Sequence, residues 1–405
     1  MNTIAESYVK LVLKTGLHDS DVVDAYYGPE IWKPAKDKSV CPLDHLHQEA
    51  DDLLQKIDRL PANARASPDE LRRIALRAQL VAVRTKIEML QGKSFPFDEE
   101  SRLLYDAVAP MHTREYFEAM LDDLGTLLPG PGKVSQRVEQ FKRAFVIPKE
   151  KLEAVFSAAI KEGRRRTLEH IELPENENFV VEYVTEKAWS GYNWYKGNSF
   201  STIQMNTDFP IYVDRAIDLA CHEGYPGHHV YNSLMEKHLV RKRGWMEFSV
   251  YPLFSPQSLI AEGSANFGIE VAFPGNERVQ FEQEALFPIA GFDPSRAEHY
   301  YSIHVLTLKL SYAGNEAARR YLNGTINKDE AVHWLVTYAL FTPERAEQRV
   351  RFFDKYRSYV INYNLGQDMV KAYVERRGGA SENSEQRWKI FKELLSNPIT
   401  PSALI

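Results

Sequence analysis

The chain has 405 residues, of which 44% are hydrophobic and 26% are charged, and a formal net charge of −6 at pH 7. This is the composition of a globular protein, and its acidic balance argues against a nucleic-acid-binding protein, which would carry a basic stripe. The two cysteines exclude a disulfide framework, and no run of about 18 apolar residues is present that could cross a membrane. Residues 1–17 lack the basic and then apolar pattern of a secretion signal, so we expect a cytoplasmic protein.

Hydrophobic residues recur at helical spacing through the first 146 residues. The helices predicted there span residues 2–16, 42–60, 68–92, 98–108, 113–128 and 134–146. Pro68 follows Ser67 at the start of the third helix, which is a typical start signal. A cluster of proline and glycine at residues 128–132 is the best candidate for a hinge. We interpret residues 1–146 as an N-terminal helical lobe and residues 147–405 as a second region.

The pattern changes after a further helix predicted at residues 149–169. Residues 179–185 and 200–206 are rich in β-branched and aromatic side chains, which is typical of strands, and we interpret residues 189–197 between them as a loop. We therefore predict a small sheet at about residues 179–206. An exposed edge of this sheet could bind an extended peptide, and a purely structural hairpin is an equally good interpretation.

The remainder of the chain is predicted to be helical, so the fold class is mainly α with one small sheet. The predicted helices after the sheet span residues 212–225, 228–241, 257–273, 279–288, 296–322, 327–339, 343–365 and 384–395.

Three histidines and a glutamate lie together in the run CHEGYPGHH at residues 221–229. Imidazole is the commonest metal-binding side chain at neutral pH, and a glutamate next to such a histidine is where zinc hydrolases keep their general base. In the H-E-x-x-H motif the second histidine follows the first by four residues on one helix face, but here that position is a proline. If the Pro-Gly pair loops out of the helix, His228 takes its place. We therefore predict His222 and His228 as metal ligands, with His229 as the alternative or as a supporting group.

A catalytic zinc ion needs a third protein ligand. The best candidate is Glu262, in the small and apolar segment 258–267. A charged glutamate in such a segment needs a partner, and a metal ion supplies one; an exposed or ion-paired glutamate is the other interpretation. One zinc ion per chain is predicted, although manganese, cobalt or iron also suit these ligands.

Residues 222–229 resemble the H-E-x-x-P-G-H-H signature of the bacterial domain-of-unknown-function 885 family, which is grouped with the gluzincin metallopeptidases of the thermolysin clan. Residues 262–267 are similar to its E-G-W-A-x-Y signature, residues 363–366 to its Y-x-x-G signature, and residues 199–206 to the short strand before its metal helix. The resemblance covers roughly residues 180–370. It implies a mostly helical, thermolysin-clan-like metallopeptidase body with the small sheet next to the zinc helix.

The chain departs from the family pattern at three places. Ser264 stands where the family has Trp, Phe267 where it has Tyr, and residues 357–358 where it often has Pro-Gly. Because the metal set is intact, we expect the metal centre to be kept and the substrate pocket to differ.

Within this interpretation the roles of individual residues can be predicted. Glu223 is predicted to be the general base. Tyr363 is predicted to stabilise the oxyanion, because the resemblance places it in the Y-x-x-G signature of the family. Further candidates for the oxyanion are Tyr356, Arg357 and His304. Asn206 and Arg357 are predicted to bind substrate. Asp218, one turn before His222, is a candidate to orient a ligand histidine, with a solvated surface position as the alternative.

The sequence thus predicts a zinc metallopeptidase in which residues 147–405 form the catalytic region and the substrate is a peptide or a small amide. A zinc hydrolase of a non-peptide amide or ester is the second interpretation. A non-catalytic helical protein that retains metal in a closed four-ligand site, and a metal-free interaction scaffold, are the third and fourth. No nucleic acid or membrane partner is expected. Exopeptidase or endopeptidase action and the oligomeric state are left open.

Overall fold

The computed structural model describes residues 1–35, 40–62, 67–187 and 189–405. These residues are mainly α-helical, and two small sheets lie among the helices. The mainly α fold class and the presence of a sheet before the histidine motif are therefore confirmed. None of the helices in these ranges is long and apolar enough to cross a membrane.

Helices fill most of the chain up to residue 168, close to the predicted segments. They are α1 (Asn2–Thr15), α2 (Leu43–Asp58), α3 (Pro68–Leu90), α4 (Phe97–Tyr105), α5 (Arg114–Leu127), α6 (Val134–Arg143) and α7 (Leu152–Leu168). The predicted start of α3 is confirmed. The Ser67 side chain accepts a hydrogen bond from the amide of Glu70, and Pro68 occupies the first turn.

The sheet near the histidine motif has three strands, in the order β2 (Asn178–Val184), β4 (Phe200–Asn206) and β3 (Gly191–Tyr195). β2 is parallel to β4, and β3 is antiparallel to it. The prediction of a loop at residues 189–197 was wrong in its centre, because β3 pairs along its whole length with β4. The segment contains two glycines and an asparagine, which are rare in strands, so its sequence is typical of a loop. Its pairing with β4 stabilises it as a strand.

A second, two-stranded sheet joins distant parts of the chain. Here β1 (Val23–Tyr26) pairs antiparallel with β5 (Val250–Pro252). Strand β1 was not predicted, because its partner strand lies more than 200 residues away in the sequence and local patterns do not report it.

The remaining helices complete the body. They are α8 (Asp214–Leu219), α9 (His228–Met235), α10 (Pro256–Ala272), α11 (Glu277–Phe281), α12 (Phe287–Ala290), α13 (Ala297–Lys309), α14 (Tyr312–Leu322), α15 (Lys328–Tyr338), α16 (Pro343–Tyr356), α17 (Ile361–Arg376) and α18 (Ser384–Leu395). Two predicted helices are each divided in two. The helix predicted at 296–322 is interrupted between α13 and α14, and that predicted at 343–365 breaks at Arg357, whose φ is +50°.

The two predicted regions share a hydrophobic core. One cluster of buried side chains contains residues of α1 to α4 together with Val250, Leu259, Phe353 and Ile361. Helices α10 and α17 cross at close range inside the body, where a Cβ on Gly263 would lie 2.3 Å from the carbonyl carbon of Gly366. Glycine at this crossing lets the two helices bring their side chains together. The boundary at residue 146 stays a prediction.

Candidate metal centre

The histidine motif lies where one helix ends and the next begins. Helix α8 runs on into a π-helical turn, Ala220–Gly224, and the chain is then extended at Tyr225. After a cis peptide bond between Tyr225 and Pro226, α9 begins at His228. The predicted interruption before His228 is present, and it separates two helices instead of forming a loop within one.

Gly227 makes this close turn possible. Its amide donates to the carbonyl oxygen of Cys221 at 2.9 Å, and a Cβ at this position would lie only 2.0 Å from the carbonyl oxygen of His222. No other residue fits without moving the backbone, so glycine is required for the turn that places His228.

The turn brings the two predicted histidines together, and α10 adds Glu262. Nε2 of His222 lies 3.1 Å from Nε2 of His228. Oε2 of Glu262 lies 3.2 Å from the first nitrogen and 3.7 Å from the second. Ligands at about 2.0–2.1 Å from a tetrahedral zinc ion lie about 3.4 Å from each other, so these three separations suit one ion. Among the described residues this is one of two groups of three close ligand atoms.

The charges of this cluster depend on one another. Burial alone would raise the pKa of Glu262, but its contacts with His222 and His228 outweigh burial and hold the pKa well below its usual range. Burial opposes the charged form of His222, yet Glu262 and Glu223 raise the pKa of its imidazole to about 9. A divalent cation is the species that would replace the proton on such an imidazole.

His222 is oriented by an asparagine that was not predicted. Nδ1 of His222 donates to Oδ1 of Asn266 at 2.8 Å, and Nδ2 of Asn266 donates to the carbonyl oxygen of Tyr363 at 2.9 Å. These bonds leave Nε2 of His222 to face Glu262. Asn266 follows Glu262 by four residues, so the helical spacing was a signal that could have identified it.

Asp218 does not take that orienting role. Its carboxylate lies 2.9 Å from Nη2 of Arg278 and 3.3 Å from Nη1 of Arg215. The interpretation of Asp218 as the partner of a ligand histidine was therefore wrong, because its carboxylate pairs with Arg278 and Arg215, and Nδ1 of His222 bonds to Asn266. The alternative of a solvated surface position was wrong as well, since Asp218 is only 9% exposed.

His229 points to other partners and does not join the cluster. Its Nε2 lies 3.1 Å from Oε2 of Glu177, and its Nδ1 lies 2.9 Å from Oγ of Ser201. Burial would raise the pKa of Glu177, but its bonds to His229, Tyr225 and Arg164 outweigh burial and lower it to about 2. With both ring nitrogens engaged, His229 ties α9 to the sheet. A closed site with His228 and His229 together is not formed.

Glu223 lies beside the cluster and is buried. Its Oε2 has no hydrogen-bond partner in the described part of the chain, and burial, the largest influence, raises its pKa. Strand β3 shapes its surroundings, since a Cβ on Gly191 would lie 2.9 Å from Oε1 of Glu223 and Nδ2 of Asn193 donates to the Glu223 carbonyl oxygen at 2.7 Å. The strand that the sequence did not predict thus makes room for this carboxylate.

Two tyrosines of the C-terminal segment face the cluster. The buried hydroxyl of Tyr359, which the sequence did not single out, donates to Oε1 of Glu262 at 2.7 Å. The half-buried ring of Tyr363 lies 5.8 Å from that of Tyr359. Burial raises the pKa of Tyr363 well above its usual value, and the negative charges of Glu262 and Glu223 raise it further. Its hydroxyl therefore stays protonated and able to donate.

Two other predicted residues have structural partners. Nε of Arg357 donates to Oε2 of Glu100 at 2.6 Å, and the amide and hydroxyl of Ser358 donate to Oε1 of the same carboxylate. Nδ2 of Asn206 donates to the carbonyl oxygens of residues 187 and 189. Substrate binding by Arg357 and Asn206 stays a prediction.

Asp24 was not predicted and lies close to the centre. The Tyr192 hydroxyl donates to its Oδ1. Burial raises the pKa of Asp24 to about 6, and the charges of His228, Glu262 and Glu223 all act on it. Strand β1 carries Asp24 to this place, and no local pattern marked it.

A second group of possible ligands is formed by side chains of α8 and α13. Asp214, Asp218 and His304, all buried, also hold one ligand atom each within 4.8 Å of the others. The Tyr300 hydroxyl donates to Asp214, and Arg278 lies against Asp218. His304, predicted as a distant candidate for the oxyanion, belongs to this group, with Nδ1 3.5 Å from Oδ2 of Asp214.

Comparison with known proteins finds solved structures with a similar fold and assigns the chain to no family. No protein-family profile and no curated protein matches the chain. Six solved chains match in structure. A candidate lipoprotein from Colwellia psychrerythraea aligns with a TM-score of 0.54 and 12% identity, over 92% of this chain and 70% of that one. This likeness shows the overall fold alone.

Two further solved structures align less well. A candidate lipoprotein of unknown function from Shewanella oneidensis has a TM-score of 0.45 and 12% identity, over 87% of this chain and 72% of that one. Metallocarboxypeptidase 1 of Trypanosoma cruzi has a TM-score of 0.44 and 14% identity, over 98% of this chain and 93% of that one. The functional argument therefore depends on the geometry of the site.

Proposed function

We propose that this protein is a metal-dependent hydrolase that cleaves peptide bonds, with one zinc ion held by His222, His228 and Glu262. The observation that carries the proposal is the convergence of these three ligand atoms beside the buried carboxylate of Glu223, one of whose oxygens has no partner in the described ranges. A buried charge without a partner is costly, and a site for metal and water explains it. The resemblance to the domain-of-unknown-function 885 family supports the same assignment.

The proposed chemistry divides the work between the metal and the carboxylate. A bound divalent metal ion supplies Lewis acidity, which lowers the pKa of water and polarises a carbonyl oxygen. Glu223 accepts a proton from water and returns it to the leaving amine.

Neighbouring side chains position these groups. Asn266 orients His222, and the Tyr359 hydroxyl holds Glu262, as supporting contacts do in metal sites. The protonated hydroxyl of Tyr363 is the proposed donor to the oxyanion that develops on the substrate carbonyl.

Replacement of Glu223 by glutamine tests the proposal. Glu223→Gln should keep the zinc content and lower peptide hydrolysis by at least about 100-fold, because general-base catalysis contributes that much or more. Zinc is measured by elemental analysis, and turnover is measured on a peptide library and on small amides and esters. The control is Glu298→Gln, an exposed residue of α13. Unchanged turnover in Glu223→Gln would remove the assignment, and turnover of small amides or esters alone would favour the second interpretation.

A further inference from the structure

Helix α16 carries two arginines that form no ion pair with a carboxylate of the described residues. Arg345 and Arg349 are four residues apart, so they share one face of the helix. Nε of Arg349 is buried and has no hydrogen-bond partner within the described residues. Both guanidinium groups lie over aromatic rings: that of Arg345 is 4.9 Å from the ring of Phe341, and that of Arg349 is 4.5 Å from the ring of Phe352.

Arg349 lies next to the candidate metal centre. Its guanidinium is 5.7 Å from the ring of Tyr363, and the charge of Glu262 acts on it. Arg345 lies one helical turn before Arg349 on the same face of α16. The two arginines are therefore placed to act together beside Tyr363.

The positive charges of the two arginines are only partly offset by their surroundings. Burial is the largest influence and lowers the pKa of both; Glu262 and Tyr363 act against it at Arg349, and Asp214 and Tyr212 act against it at Arg345, whose pKa is lowered to about 10. By contrast, Arg351 of the same helix projects into solvent and pairs with Glu347 at 4.0 Å. Guanidinium groups such as those of the exposed Arg345 and the half-buried Arg349 are suited to bind a carboxylate through two parallel hydrogen bonds.

We propose that Arg345 and Arg349 bind the free α-carboxylate of the residue that follows the cleaved bond, so that the enzyme removes single residues from the C-terminus of a peptide. The inference rests on the proposed function, because it needs the scissile carbonyl at the metal centre. In a terminal residue only the α-carbon separates the scissile nitrogen from the carboxylate, so both groups fit one site. Water adds to the carbonyl carbon, the C–N bond breaks, and the proton held by Glu223 passes to the amine of the released amino acid.

The first experiment compares matched substrates with the zinc-loaded enzyme. The substrates are benzyloxycarbonyl-Ala-Phe with a free carboxylate, its C-terminal amide, and benzyloxycarbonyl-Ala-Asp amide, which offers only a side-chain carboxylate. The free acid should have a kcat/KM roughly 100-fold above either amide, as expected for a buried charge pair. Equal cleavage of the Phe acid and the Phe amide overturns the proposal, and so does equal cleavage of the Asp amide, since the carboxylate would then come from a side chain.

Variants assign the preference to the two arginines. Arg349→Gln and Arg345→Gln should each raise KM for the free acid at least about 10-fold and lower the ratio of kcat/KM between the free acid and the amide by the same factor, while Arg349→Lys keeps part of the preference. Arg351→Gln is the matched control on the exposed face of the same helix. A fall in the rates for acid and amide alike would mean a structural role and would overturn the proposal.

The second experiment measures binding without turnover. The zinc-loaded Glu223→Gln variant is titrated with benzyloxycarbonyl-Ala-Phe in a calorimeter, in the presence and absence of the arginine substitutions. Binding that weakens at least about 10-fold on loss of either arginine supports the carboxylate site even if the wild-type enzyme hydrolyses none of the peptides, in which case only the proposed function fails. Binding that is independent of both arginines overturns the site itself.

Discussion

The molecule has two groups of three possible metal ligands, and they differ in what surrounds them. In the group of His222, His228 and Glu262, no arginine or lysine pairs with the carboxylate among the described residues; its partners are two imidazoles and the Tyr359 hydroxyl. In the group of Asp214, Asp218 and His304, a buried arginine already supplies positive charge. Although the two sets of ligand side chains are similar, we expect a metal ion only in the first.

Arg278 accounts for the difference. Its guanidinium lies 2.9 Å from Asp218, 3.0 Å from Glu282 and 2.9 Å from the carbonyl oxygen of Asp214. The second group is thus a charge-balanced structural network, whereas the carboxylate of the first has only imidazoles as possible cationic partners among the described residues, as the proposed metal site requires. The inventory of ligand side chains alone does not identify a metal site; the neighbouring cations must be counted as well.

The largest effect should come from removing the carboxylate of the first group. Glu262→Gln should lower zinc affinity by at least about 100-fold and abolish hydrolysis, because a direct ligand matters more than the supporting contacts whose loss costs up to about 100-fold. Asp218→Asn, the matched change in the second group, should keep one zinc ion per chain. Elemental analysis and the effect of a chelator on the melting temperature measure both. Loss of zinc in Asp218→Asn together with retention in Glu262→Gln would show that the second group, and not the first, binds the metal ion.

The second effect tests the charge balance of the other group. Arg278→Met should lower the free energy of unfolding by about 3–5 kcal/mol, because Glu282 would lose its cation and Asp218 would keep only the more exposed Arg215. Zinc binding should be unaffected in the fraction that folds. Urea unfolding measures the change, with Arg351→Met, at an arginine that is 60% exposed, as the control. A loss no larger than in this control would show that Arg278 does not balance these carboxylates.

The smallest effect concerns His304 and pH. Burial is the main cause that lowers the pKa of His304 from 6.5 to about 4. The folded state therefore binds fewer protons than the unfolded state between these values, so stability is full above pH 6.5 and is lost as the pH falls through about 4. The loss is up to about 3 kcal/mol, from 1.36 kcal/mol for each pKa unit.

Replacement by glutamine isolates this contribution. The free energy of unfolding of His304→Gln should fall less than that of the wild type between pH 7 and pH 4, by up to about 3 kcal/mol. Denaturant unfolding of both metal-free proteins at several pH values gives the difference. Parallel pH profiles would show that His304 titrates normally.

The sequence by itself determined the mainly α fold class, strands β2 and β4, most helices, and the five residues 222, 223, 228, 229 and 262 among which the centre was sought. These depend on local information: hydrophobic periodicity, start and stop residues, and the spacing of imidazole and carboxylate groups. The Pro-Gly interruption before His228 followed from the same rules, because proline and glycine act on the backbone next to them.

Only the tertiary structure decided which of these groups meet and what supports them. The choice of His228 over His229 depends on Glu177 and Ser201, and the positions of Asp24 and Glu223 depend on strands β1 and β3, which are stable only when paired with other strands. Asn266 of α10 bonds to Tyr363 of α17, and Tyr359, just before α17, bonds to Glu262 of α10. Apart from Asn266, which has helical spacing from Glu262, the physical reason is the same: a hydrogen bond or ion pair between residues far apart in the chain leaves no periodic signal in either segment.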